Sequence, residues 1–310
     1  MKYNSANDIV RNSPIINGYL KPFVKWAGGK GQLLSALRAV YPPRIGEDIT
    51  KYAEPFVGGG AVLFDILSSY ELEAVFISDI NAELINAYLS IRDNGESLIE
   101  LLEKYEKEFL PLDKENRKVY YYSKRDRYNQ LMSSELDLES AALFIFLNKT
   151  CFNGLYRVNS KGLFNVPMGA YKNPTICDST NLRNISNALK GMAIVCADYR
   201  ESKDFIDAKT FVYFDPPYRP LNSTSTFTSY TEQGFDDQAQ KELAEYLSEL
   251  NLKGAKVALS NSDPKNVNPE DNFFDELYAD YKIKRIEASR MINSKVSGRG
   301  KISELLITNF

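Results

Sequence analysis

The 310-residue chain has no histidine, one tryptophan and only three cysteines. Without histidine it cannot build a Ser–His–Asp or Cys–His triad, an imidazole proton shuttle, or a histidine zinc or haem site. Its chemistry must come from carboxylates, Lys, Tyr, backbone groups, or a cofactor with its own reactivity. Cys151, Cys177 and Cys196 are odd in number and show no CxxC spacing, which argues against a disulfide framework or a cysteine zinc site. Reduced thiols and no metal are expected. Also missing is any run of the roughly 18 to 20 apolar residues that a membrane helix needs. The first 18 residues are polar and lack the apolar stretch of a secretory signal. They are expected to form a tail, with a cytoplasmic address and no membrane partner.

Acids are absent from two stretches of a chain that is acidic overall, at net charge −3 and a pI near 5.4. Residues 140–177 hold Lys149, Arg157, Lys161 and Lys172 without one acid, and residues 289–303 hold Arg290, Lys295, Arg299 and Lys301. The balancing acids crowd residues 71–108, where ten face three bases. Acid-free basic stretches are what contact with a polyanion requires, whatever the total charge.

The first and last thirds alternate strand and helix. Strands are expected at 52–56, 74–78, 192–196, 211–214, 255–260, 281–286 and 303–309, with helices at 61–69, 81–92 and 236–250. That rhythm indicates an α/β fold with a mainly parallel sheet. The middle breaks it, with helical stretches at 96–109, 115–132 and 138–150. A segment rich in Gly, Asn, Tyr and Pro follows at 153–173 and reads as a loop or hairpin. The expected organisation is a body of residues 19–90 and 176–310, and an inserted, mainly helical domain of residues 91–175.

Two motifs carry chemistry. The run Glu54-Pro-Phe-Val-Gly-Gly-Gly60 follows a strand and opens a helix, where glycines let the backbone turn tightly against a ligand. Asp79, 19 residues beyond Gly60 and at the end of the next strand, is placed to accept ribose hydroxyls. Phe214-Asp-Pro-Pro-Tyr218 ends an apolar strand. Its prolines stiffen a turn and remove backbone donors, leaving carbonyl acceptors and the Asp215 carboxylate to hold an amino group. Tyr218 adds a surface on which a base can stack.

Together with Pro22-Phe-Val-Lys-Trp-Ala-Gly-Gly-Lys30, these motifs resemble the DNA N6-adenine methyltransferases of the Dam type. The resemblance continues through Asn153–Arg157, Phe164–Pro167, Phe227–Tyr230 and Arg299–Leu305, and covers nearly everything from Pro22 onward. It implies a Rossmann-like methyltransferase sheet, S-adenosylmethionine as cofactor and double-stranded DNA as partner, with a restriction endonuclease as a potential functional companion. By similarity, Trp26, Lys30, Glu54, Phe56, Gly58, Gly60, Asp79, Asp198 and Asp215 would line the cofactor pocket. Asp215, Pro216 and Tyr218 would act on the target base. The insert would recognise DNA through Asn153, Leu155, Arg157 and Pro167, which match residues that family members use to read GATC. Lys149, Lys161 and Lys172 would contact phosphates. The polar tail before Tyr19 departs from the family pattern.

The chemistry agrees with this resemblance. An adenine amino group is a poor nucleophile because its lone pair is delocalised into the ring. Two acceptors, the Asp215 carboxylate and the Pro216 carbonyl, would hold both N–H bonds while an activated methyl donor supplies the driving force. The target must leave the duplex to reach them. A cytosine N4-methyltransferase and a catalytically silent DNA-binding regulator remain the alternatives at this level.

Overall fold

In the computed structural model, which describes residues 18–132, 136–219, 235–289 and 301–310, the apolar runs of the outer thirds become one seven-stranded sheet. The strands are β1 (Lys51–Glu54), β2 (Ala74–Asp79), β3 (Ala193–Cys196), β4 (Thr210–Phe214), β5 (Lys256–Ser262), β6 (Lys282–Ser289) and β7 (Lys301–Thr308). Their order is β3-β2-β1-β4-β5-β7-β6, with β1 to β5 parallel and β7 inserted antiparallel between β5 and β6. This is the expected Rossmann-like methyltransferase sheet. Its order reverses between β1 and β4, the switch point outside which such sheets bind ligands.

β4 shows why the sequence takes this form. Thr-Phe-Val-Tyr-Phe is β-branched and aromatic throughout, and every residue is buried. Phe211 and Tyr213 enter the core on one face of the sheet, Val212 and Phe214 the core on the other. A strand covered on both faces reads as a continuous apolar run rather than an alternation. The polar side-chain atoms this buries are paired, Thr210 Oγ1 with Asp207 and the Tyr213 hydroxyl with Ser260 Oγ on β5 at 2.7 Å.

On the first face lie α1 (Leu34–Arg38), α2 (Ala61–Ser69), α3 (Ala82–Phe109), α4 (Lys114–Leu131), α5 (Leu138–Thr150) and α6 (Ser179–Leu189). On the second lie α7 (Asp237–Leu252) and α8 (Phe273–Leu277). Side chains of Asn81, Asp113, Asp137, Asp178 and Asp236 cap the starts of α3 to α7, each worth about 1 kcal/mol. Among the described residues no helix is long and apolar enough to cross a membrane.

Several boundaries differ from expectation. The helices expected at 81–92 and 96–109 are one helix, α3, with a kink at Asn94 (φ −133°, ψ 33°). Gly95 beside the kink lets α6 approach closely, since a Cβ there would lie 2.9 Å from Ser186 Oγ. The first strand stops at Glu54 rather than residue 56, because Pro55 has no N–H to continue the ladder. α6 is a helix where the Ser/Asn-rich sequence suggests none, held by Leu182, Ile185, Ala188 and Leu189 on one buried stripe. α1 and α8 were also unexpected and are short. The tail before residue 18, the Phe227–Tyr230 motif, and Arg290, Lys295 and Arg299 lie outside the described residues.

Between β2 and β3 the described chain is mainly helical to residue 150, then forms a ribbon, and returns to helix in α6. α5, apolar on all sides, is packed between α3 and α4. The ribbon pairs Cys151 with Met168 and Val158 with Phe164, antiparallel, around a turn where Gly162 N–H donates to the Asn159 carbonyl at 2.9 Å. Asn129 on α4 bonds both the N–H and the carbonyl of Phe164, at 2.8 and 3.1 Å. Phe164 and Val166 belong to the same core as Phe23, Val24 and Phe64, so this region and the sheet share one apolar interior.

Asp65, fully buried on α2, anchors the chain that leads into the Pro22–Lys30 segment. It accepts from Tyr19 Oη at 2.7 Å, Tyr41 Oη at 2.9 Å and the Arg38 guanidinium. Burial alone would raise its carboxyl, but Arg38, Tyr19 and Tyr41 more than offset this and hold it below the usual carboxylate range. Asp65→Ala should cost about 3 kcal/mol in urea unfolding, because three donors lose a charged acceptor. A depressed carboxyl stabilises above its unfolded pKa and loses that contribution as pH falls through its folded one. The advantage of the wild type over Asp65→Asn should therefore shrink below about pH 4.

Candidate active site

Four neighbouring parallel strands deliver their carboxyl ends to one edge of the sheet, and the sequence-predicted residues meet there. Beyond β1, Gly58 (φ 48°) and Gly60 (φ 73°) adopt left-handed conformations that favour glycine. A Cβ on Gly58 would stand 2.8 Å from Trp26 Cδ1, and one on Gly60 would run into the Tyr88 hydroxyl and the Phe64 ring. Tyr88 Oη donates to the Gly58 carbonyl at 3.0 Å. The turn is thus held by α3 on one side and walled by Trp26 on the other.

At the end of β2, Asp79 uses both oxygens on backbone donors, Oδ2 on Gly58 N (3.1 Å) and Oδ1 on Asn81 N (2.9 Å). Burial raises its carboxyl, and these bonds work against that rise. Past β3, Asp198 is exposed and accepts from Arg200 N at 3.0 Å and Nη1 at 3.2 Å. Phe56 stacks on Tyr199 (centroids 5.5 Å apart) and meets Phe214 and Phe235 edge-on, forming an aromatic wall beside these carboxylates.

The turn after β4 is the most constrained part. Lys30, only 4% exposed, reaches from the end of the Pro22–Lys30 segment to place Nζ 2.8 Å from Asp215 Oδ1. It also donates to the Gly28 carbonyl at 2.8 Å and lies 4.7 Å from the Tyr218 ring centroid. Burial raises the Asp215 carboxyl, with Lys30 pulling it down and Glu304 adding to the rise. Glu54, fully buried, accepts from Tyr52 Oη at 2.7 Å; burial pushes it well above the usual range, and the Asp215 charge adds to this. Pro216 is buried at the centre of the turn.

Three residues that sequence reasoning missed brace this turn. Glu304 Oε2 accepts from Tyr218 Oη at 2.7 Å. Gln240, buried on α7, donates to the Pro217 carbonyl at 3.3 Å and is itself held by Asn261 Nδ2 at 3.0 Å. Arg219 forks onto Asp237 (2.6 and 3.0 Å) and reaches Asp271 (2.7 Å). Glu304 lies inside the Arg299–Leu305 motif, which was a signal. Gln240 and Arg219 carry none that a sequence displays.

The ribbon exposes Asn153, Leu155, Arg157, Lys161, Pro167 and Lys172. Asn153 sits at positive φ (56°) within a 3₁₀ turn, and the Pro167 carbonyl accepts from Phe152 N at 2.8 Å. Arg157 Nε donates to Asn165 Oδ1 at 2.7 Å, which fixes the plane of its guanidinium. Lys149 differs from the other lysines: it lies on α5, largely covered, where burial lowers its ammonium and Lys25 adds to the effect.

Sheet order and strand-end cluster define a Rossmann-like methyltransferase. Residues 26–292 match the family model of the D12 class N6 adenine-specific DNA methyltransferases. The chain is 50% identical to the type II methyltransferase M.MjaIII of Methanocaldococcus jannaschii over 94% of its own length and 99% of that protein. It is 41% identical to the type II methyltransferase M1.LlaDCHI of Lactococcus lactis subsp. cremoris, covering 94% and 96%. Against the DNA adenine methylase of Escherichia coli the identity is 32%, covering 92% and 94%. The chain belongs to the D12 class and is an adenine-specific DNA methyltransferase.

The Tyr218–Glu304 bond gives a first prediction about turnover. Glu304→Ala should slow single-turnover methyl transfer about tenfold, the equivalent of one charge-assisted hydrogen bond. Glu304→Gln, which keeps an acceptor oxygen, should recover most of that loss.

Proposed function

We propose that this enzyme transfers a methyl group from S-adenosylmethionine to the N6 amino group of an adenine rotated out of a GATC duplex. The observation that carries the reading is the Asp215-Pro216-Pro217-Tyr218 turn, fixed at the carboxyl end of β4 by Lys30, Gln240 and Glu304 beside a glycine turn walled by Trp26. The donors and acceptors present suit the cofactor. Asp79 and Asp198 offer carboxylates for ribose hydroxyls and the adenine amino group, and Phe56 and Trp26 offer apolar walls. Gly58 and Gly60 let the turn pack closely against Trp26, Tyr88 and Phe64, and Glu54, Lys30 and Asp215 complete the site. When bound, the cofactor supplies an activated methyl group on a sulfonium.

The chain's own task is then to hold the amine. The Asp215 carboxylate and the Pro216 carbonyl accept its two N–H bonds and favour a more pyramidal nitrogen. Burial raises the Asp215 carboxyl, and Lys30 works against that rise. Tyr218, its hydroxyl anchored on Glu304, presents a ring to the extruded base, and stacking offsets part of the few kcal/mol that extrusion costs. No strong base is required, because the amine becomes acidic once methylated.

In this reading residues 91–175 form the target-recognition region and its ribbon faces the major groove. With Nε committed to Asn165, the Nη edge of Arg157 is the one left to meet a guanine O6/N7 pair. Asn153, Leu155 and Pro167 share the exposed ribbon, and Lys161 and Lys172 flank it for phosphates. Two of the similar proteins are type II methyltransferases by name, which supports pairing with a restriction endonuclease.

The test uses labelled S-adenosylmethionine with duplexes carrying GATC or a scrambled site, digested to nucleosides. Label should appear as N6-methyladenine on the GATC duplex; equal labelling of both duplexes would remove the GATC assignment. Arg157→Ala should lower the preference for GATC about tenfold or more, as loss of one bidentate base contact predicts. A uniform loss on all sequences would mark Arg157 as a phosphate contact instead.

A further inference from the structure

Asn148, buried near the end of α5, makes three hydrogen bonds that serve neither its own helix nor solvent. Its Oδ1 accepts from Lys25 N at 2.8 Å, and its Nδ2 donates to the Lys25 carbonyl at 2.8 Å and to the Gly154 carbonyl at 3.0 Å. One side-chain amide therefore clamps the residue before Trp26 to the ribbon residue between Asn153 and Leu155. The Gly154 backbone is pressed against the Lys25 side chain at that point. Gly154 has φ 65°, and a Cβ on it would lie 2.8 Å from the Lys25 Cβ.

A second link joins the same parts, one residue further along the first segment and two along the ribbon. The Tyr156 ring stacks on the Trp26 indole, with centroids 5.5 Å apart and planes at 26°, and Phe144 of α5 packs against both. The Tyr156 hydroxyl interacts with Asn81 and Glu83, just past Asp79 in the chain. Tyr156, the neighbour of Arg157 on the ribbon, is thus built into the wall of the candidate cofactor pocket.

We infer that Asn148 and Tyr156 are positioning residues that hold the Trp26 wall and the ribbon as one unit, so that DNA on the ribbon and cofactor in the pocket alter each other's affinity. The inference rests on the proposed roles of ribbon and pocket and adds the residues that connect them. A displacement of the ribbon by a few tenths of an ångström must move either the Asn148 amide or the Trp26 ring, because packed interiors transmit strain rather than absorb it. Affinity coupling of this kind is reciprocal.

The experiment measures the affinity of S-adenosylhomocysteine by calorimetry, alone and with a saturating GATC duplex, and the affinity of that duplex with and without S-adenosylhomocysteine. In the wild type the two ratios should agree and depart from one by about fivefold or more. Trp26 is the sole tryptophan, so duplex alone should also shift its emission. Asn148→Ala and Tyr156→Leu should each bring the ratios to within about twofold of one, whereas Tyr156→Phe, which keeps the ring on Trp26, should retain most of the coupling. Each ratio compares affinities within one variant, so a general destabilisation that weakens both ligands equally leaves it unchanged. A wild-type ratio near one, or an undiminished ratio in both Asn148→Ala and Tyr156→Leu, would overturn the inference. A duplex that binds no better with GATC than without is a different result: it overturns the functional reading and the inference with it.

Discussion

The Lys30–Asp215 ion pair is where three parts of the chain meet, at 2.8 Å with the lysine almost wholly buried. A buried ammonium is costly without a charged partner and further acceptors. Lys30 has both, in Asp215 and the Gly28 carbonyl. That requirement fixes the Pro22–Lys30 segment to the turn after β4, where the Asp215 charge also acts on the buried Glu54. The sheet's switch point between β1 and β4 makes the meeting possible, because it leaves a crevice at the carboxyl ends of those two strands.

Around this pair the structure favours rigidity. Gln240 on α7 holds the Pro217 carbonyl, Glu304 on β7 holds the Tyr218 hydroxyl, and Arg219, the next residue along the chain, is pinned to Asp237 at the start of α7 and to Asp271. Such bracing suits a reaction in which alignment supplies most of the rate and no proton must move early. The absence of histidine fits the same logic: an activated methyl donor and two hydrogen-bond acceptors need no imidazole. The charge balance is equally local, with acids gathered on β2, α3 and their connections and bases on the acid-free ribbon.

Much of this could be read in the sequence because Gly and Pro mark the places where backbone geometry is exceptional. Gly58–Gly60 and Pro216–Pro217 were identifiable for that reason, as were the apolar runs that became β2, β3 and β4. Features that depend on long-range packing were not. Asn148 ends the run Ala-Ala-Leu-Phe-Ile-Phe-Leu and looks like a helix-terminal asparagine until Lys25 and Gly154 are placed against it. Gln240 looks like a surface residue of α7, yet it is fully buried. The continuity of α3 through Asn94-Gly95 was hidden because that dipeptide ordinarily marks a turn. The insertion of β7 between β5 and β6 is a matter of topology, which chain order does not display.

The most direct measurement of the central claim is single-turnover methyl transfer to a GATC duplex by Asp215→Ala, with duplex binding measured on the same sample. The account predicts a fall in transfer of about a hundredfold or more, the scale of removing a group aligned on the reacting atom, while the duplex still binds. Transfer at a rate near that of the wild type would contradict it, because the amino group would then be held by something other than the turn after β4.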